Sequence, residues 1–154
     1  MRILEPTRKS VREGDVFTYV MPDAKHRFGR VVSNDAQIGP MTACQLLYFY
    51  DAVSESEKPP LDELRPSNLL IAPQMTNRLG WRRGYFKTVW RGPVEPEMRL
   101  EQHCFWSATR KMYFDESSNV LPRPVEPTGR WGLVSYRMID NFLSRALGFE
   151  LAPE

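Results

Sequence analysis

"GDVFTYVMPDAKHRFGRVV", residues 14–32, is the stretch from which the fold can be read. From Asp15 the chain sets Val16, Thr18 and Val20 on one side and Phe17, Tyr19 and Met21 on the other. Successive side chains of a strand point to opposite faces, so neither face of this strand is polar enough to meet water, and it needs cover on both. Pro22-Asp23-Ala24-Lys25 supplies turn chemistry, with proline fixing φ and aspartate offering a local side-chain bond. Phe28 to Val32 then reads as a returning strand, and Gly29 inside it marks a bulge or a close backbone approach, the device that curls a sheet. The expectation is a hairpin that opens a curved, barrel-like sheet.

Working outward, "MTACQLLYFYDAV" reads as a long buried strand because Leu46 to Tyr50 is unbroken apolar and aromatic; a helix of that length is the alternative. "SESEKPPLDEL", residues 54–64, is an acidic, proline-interrupted surface connection, and Asn68 to Ala72 is a strand-like run ended by Pro73. Residues 78–84 read as loop and residues 85–90 as strand, stopped at Gly92-Pro93. Short strands around Cys104 to Ser107 and Lys111 to Asp115 form a further hairpin. Ser135 is an N-cap for a helix whose Ile139, Phe142, Leu143, Ala146 and Leu147 keep the helical period, with Gly148 at the C-terminal cap. The fold class is therefore α+β and β-rich: a curved, barrel-like antiparallel sheet with a C-terminal helix packed on it.

The bulk numbers agree. A chain of 154 residues with 42% hydrophobic content builds one core, so residues 1–154 are read as a single domain. Thirteen prolines leave little room for long helices. With 21 basic and 19 acidic residues the net charge is +2, which gives no strong field toward nucleic acid. Cys44 and Cys104 make no disulfide framework, "MRILEPTRK" lacks the apolar core of a signal peptide, and no run approaches the roughly 18 apolar residues of a membrane span. These features point to a reducing, cytoplasmic setting.

Chemistry is scarce. His26, His103, Cys44 and Cys104 are the only soft ligands, no CxxC or HxxxH pair exists, and no metal or cofactor is expected. No Gly-x-Ser-x-Gly elbow, Walker loop or Gly-x-Gly-x-x-Gly turn is present, so no catalytic residue is assigned. Asp51, directly after "LYFY", comes nearest to a carboxylate in an apolar run. Arg78, Arg82, Arg83, Lys87 and Arg91 interleave with Trp81, Tyr85, Phe86 and Trp90, which either stack bases or fill the core from a strand. Core is the reading adopted for Trp81 and Tyr85, and equally for Trp106.

"GDVF" leading to "FGRVV", "WRRGYFKTV" at 81–89, "HCFW" at 103–106, and "YFDE" at 113–116 followed by "GRWGLVS" together resemble the immunity protein 26 family of bacterial polymorphic toxin systems. The resemblance implies a small, β-rich, cytoplasmic protein without enzymatic activity that binds and neutralises a cognate protein toxin. Two rivals remain open. One is a barrel ribonuclease of the PemK type with Arg30 as catalytic residue, against which stands the absence of Arg-Pro after the returning loop; the other is a nucleic-acid-binding module using residues 78–91. If the toxin is a nuclease, it is basic where it meets nucleic acid, so clustered carboxylates would steer and block it. The candidate toxin-binding residues are accordingly Asp51, Glu55, Glu57, Asp62 and Glu63, with Trp81, Arg82 and Arg83 on a separate rim.

Overall fold

The structure is a computed structural model and describes residues 1–153. Five strands, β1 (Val16–Val20), β2 (His26–Ile38), β3 (Met41–Ser54), β4 (Leu69–Thr76) and β5 (Lys87–Trp90), form an antiparallel sheet in the order β4-β3-β2-β1-β5. Every residue of β1 is buried, as its two apolar faces require. On one face, helix α2 (Tyr136–Leu147) and the turn α1 (Leu79–Arg82) cover Phe17, Tyr19, Val31, Leu47 and Phe49, with Trp81, Phe86, Ile139 and Leu143 in the same cluster. On the other, Val16, Phe28, Val32, Leu46, Tyr48 and Tyr50 pack with Leu64, Met75 and Phe105.

Phe105 belongs to a second sheet of β6 (Cys104–Ser107), β7 (Met112–Phe114), β8 (Val120–Leu121) and β9 (Thr128–Arg130), ordered β8-β7-β6-β9. The α+β, β-rich class holds, but the barrel does not close. The later strands make their own sheet, with β6 and β9 parallel, and β4 and β5 stay at the open ends of the first. Curvature comes from register shifts, four of them along β2–β3. Gly29 marks a close approach within the sheet: a Cβ there would stand 2.3 Å from Phe17 Cζ and 2.6 Å from the Tyr48 carbonyl oxygen.

Several local boundaries differ from the sequence expectation. β2 runs on to Ile38, carrying the polar Ser33-Asn34-Asp35 in a strand because β3 is long enough to pair with it. β4 passes through Pro73 instead of ending there: Leu47 pairs Gln74 while Phe49 pairs Ile71, a bulge on an edge strand, the position where a missing N–H is tolerated. Residues 79–82 form a helical turn, and strand structure starts at Lys87, two residues later than expected.

α2 is capped as read. Ser135 accepts from the Met138 N–H at 3.2 Å, and Gly148 adopts φ 78° in the left-handed region. Ile139 and Leu143 are fully buried, each contributing roughly 1.5–3 kcal/mol. Ala146, placed on the apolar face by periodicity, is exposed.

Candidate functional site

The structure scatters the eight candidate residues. Trp81 is 1% exposed, meets Phe17 and Phe86 edge-on at 5.1 Å each and donates its indole N–H to Thr88 Oγ1 at 3.2 Å. It is core and has no face to offer a partner, which corrects its place among the contacts. With Trp81 and Phe86 buried and Tyr85 and Trp90 half-buried, residues 78–91 keep only part of the stacking surface that a nucleic-acid module would use. Arg82 and Arg83 are exposed beside Arg8 and Leu79, and Arg82 shares a hollow with Gln45. Gln45 and Asp51 stand on β3 about 20 Å apart at the rise of an extended strand, so these arginines lie at the far end of the sheet from the acidic loop.

Within that loop, Glu57 accepts from Lys87 Nζ at 3.0 Å and Glu55 lies 3.9 Å from Lys25. The first contact lifts the Lys87 pKa above its ordinary value, the hydrogen bond that it donates to Glu57 being the largest cause. Both pairs are exposed, worth about 0–1 kcal/mol each. Asp51, Asp62 and Glu63 pair with no cation within 4.0 Å among the described residues. Asn68 ties this group together, its amide donating to the Asp51 carbonyl at 3.0 Å and the Glu63 carbonyl at 2.9 Å. Asp51 is exposed; the buried carboxylate is Asp15, 1% exposed, whose pKa burial pushes up while the Arg12 N–H and Arg91 oppose the rise.

A second acidic segment, missed by the sequence reading, faces the first. Residues 61–67 and 97–101 enclose a cleft of about 850 Å³. Its apolar wall is Leu61, Leu64, Met98 and Leu100, and Asp62, Glu97 and Glu101 stand on it without cation partners among the described residues. Of its two arginines, Arg99 is engaged by Glu13 and Arg65 is exposed. The density of acids in "EPEMRLE", residues 95–101, was the available signal.

The 97–101 side is a strap held by a buried hydrogen-bond chain. The Leu100 N–H donates to Tyr48 Oη at 2.9 Å, Tyr48 Oη lies 2.6 Å from His103 Nε2, and His103 Nδ1 lies 3.3 Å from Glu116 Oε2. The carboxylate end fixes the direction: Nδ1–H donates to Glu116, leaving Nε2 to accept the Tyr48 proton. Burial pushes the Tyr48 hydroxyl up to about 12, and the hydrogen bond from His103 holds Glu116 below the usual carboxylate value.

Trp106 corrects another expectation. It is 36% exposed and leans on Tyr113 at 4.7 Å, because β6 alternation sends Phe105 to the core and its neighbour outward. Among the described residues, no three of His, Cys, Asp and Glu gather as a metal site. No helix there is long and apolar enough to cross a membrane.

The chain matches the model of the family described as Immunity protein 26 over residues 12–115. It belongs to that family. The matched span runs from the turn before β1 to the end of β7, so the immunity protein 26 match includes the whole five-stranded sheet and both sides of the cleft. No curated protein and no solved structure matches the chain significantly. Membership gives the immunity protein 26 chain an immunity role, and with it a cognate toxin as the implied partner.

Proposed function

We propose that the protein neutralises a cognate toxin of nuclease type in the cytoplasm by stoichiometric binding, without a catalytic step of its own, and that the toxin seats a basic segment on the acidic cleft. The observation that carries this is the convergence of Asp62 with Glu97 and Glu101 around an apolar wall: on one concavity, two segments distant in sequence set three carboxylates, unpaired among the described residues, against one unpaired arginine, Arg65. Such a surface raises the on-rate for a cationic partner, and the apolar wall supplies the burial that holds it. Asp51 and Glu63, tied by Asn68, extend the acidic side. Glu55 and Glu57 contribute less, since Lys25 and Lys87 already offset them.

The test is to co-express the chain with the toxin domain encoded beside it and measure association of the triple variant Asp62→Asn, Glu97→Gln, Glu101→Gln. The on-rate should fall at least about tenfold at low salt and lose most of its salt dependence, with unfolding unchanged. An unaltered on-rate in a folded variant would move the interface to the exposed Trp106 and Tyr113 face. Nucleic acid cleaved by the chain alone would remove the inhibitor reading.

A further inference from the structure

Three side chains of Asp, Glu, Lys and Arg type are buried among the described residues: Asp15, Arg27 and Arg30. Asp15 has Arg91 at 3.3 Å, and Arg27 grips both oxygens of Asp23 at 3.0 and 2.9 Å. Arg30 has no carboxylate within 4.0 Å, although it is only 2% exposed. Its Nη1 rests on Met98 Sδ at 2.6 Å and its Nε is buried with no partner. The guanidinium carbon lies 6.0 Å from the centre of the Tyr50 ring, and the Tyr50 hydroxyl, wholly buried, is unpartnered as well. A thioether is a weak acceptor, and a buried charge without an opposite charge is among the least favourable arrangements in a core.

Met98 stands between Arg30 and the cleft, since it touches Arg30 on one side and lines the cleft on the other. It is an unbranched side chain with three rotatable bonds, able to move without the backbone.

We propose that Arg30 and Tyr50 form a covered receptor for one carboxylate of the toxin, reached from the cleft when Met98 turns aside. The carboxylate accepts two N–H bonds from the edge of the guanidinium and one O–H bond from Tyr50, filling both unmet groups. The rim sets Asp62, Glu97 and Glu101 against one arginine unpaired among the described residues, Arg65, and so disfavours a bare anion; the ligand is an Asp or Glu flanked by Lys or Arg, the flanking cations meeting the rim carboxylates and the acid meeting Arg30. This rests on the cleft being the seat of the toxin, and it names what the seat selects.

Two measurements test it. In the protein alone, the Arg30 Nε–Hε NMR resonance, assigned by its loss in Arg30→Met or Arg30→Lys, is followed against sodium acetate to about 100 mM, far above the millimolar Kd of a weak site. It should move saturably with acetate and not with sodium chloride at equal ionic strength. With the toxin domain encoded alongside, Arg30→Met should bind at least about tenfold more weakly than wild type, and Met98→Ala, which opens the cover but trims the apolar wall, should lose clearly less than Arg30→Met. If Arg30→Met fails to fold, Arg30→Lys, which keeps the charge and loses the planar fork, should weaken binding in the same direction.

An unmoved resonance overturns the inference, as does wild-type affinity in the Arg30 variant, and as does a response to inorganic phosphate in place of acetate. Loss equal to that of Arg30→Met in Met98→Ala also overturns it, because Met98 would then be the contact and not the cover. Failure of the wild-type chain to bind the toxin at all overturns the proposed function instead, and the acetate titration still reads Arg30 by itself.

Discussion

Tyr48→Phe is the sharpest perturbation of the strap. The substitution removes one oxygen from a fully buried ring and leaves its shape, so cavity formation contributes little. That oxygen serves two groups, accepting the Leu100 N–H at 2.9 Å and meeting His103 Nε2 at 2.6 Å. Each buried polar group stripped of its partner costs about 1–3 kcal/mol, and Leu100, half-buried, belongs at the low end. The expected loss is about 3 kcal/mol, a fall in Tm of roughly 6–12 °C for a domain of this size. Tyr50→Phe is the matched control two residues along the same strand. Its hydroxyl has no partner, so removing it should leave stability unchanged or raise it by up to about 1 kcal/mol. Urea and thermal unfolding measure both, and amide exchange at Leu100 should quicken only in Tyr48→Phe. Equal effects of the two substitutions would refute the reasoning, because hydroxyl partners would then not distinguish them.

Gly29→Ala should unfold the domain or cost several kcal/mol by denaturant titration, since its Cβ would meet the Tyr48 carbonyl oxygen at 2.6 Å and backbone cannot yield. Trp81→Ala should cost about 3–5 kcal/mol and Trp106→Ala under about 1.5 kcal/mol in the same assay, a difference set by their exposures of 1% and 36%. Glu116, held below its usual value of 4.5, contributes stability that is present above that pH and lost as pH falls through the lower folded value; Glu116→Gln should flatten this acid limb in unfolding measured against pH.

The parts that sequence made legible are those governed by neighbours. The two-sided burial of β1, the returning strand with its tight glycine, and the Ser135 and Gly148 caps of α2 follow from period and local bonding, and each was readable from the residues themselves. Non-local pairing was not. Nothing in residues 104–107 says that they pair in parallel with residues 128–130 and so leave the first sheet unclosed. Ser33-Asn34-Asp35 has loop composition and is strand only because β3 reaches far enough to pair with it. The site was half legible for the same reason. Asp62 and Glu63 stand out by composition, but Glu97 and Glu101 join them only through the fold, and Arg30 gives no sign in sequence that its charge is left unmatched.

The fold and the proposed toxin seat draw on largely different residues. The five-stranded sheet is closed to water by side chains that point to its two faces, whereas the cleft rim stands on residues 61–67 and 97–101, where Leu64 is the buried member. Exchanging Asp62, Glu97 or Glu101 therefore costs the fold little, since surface substitutions away from caps and cores stay within about 0.5 kcal/mol. On this proposal a lineage can rewrite the rim letter by letter to follow a changing adversary while its scaffold keeps folding, whereas changes at Arg30, Tyr48 or Leu64 would call on both at once.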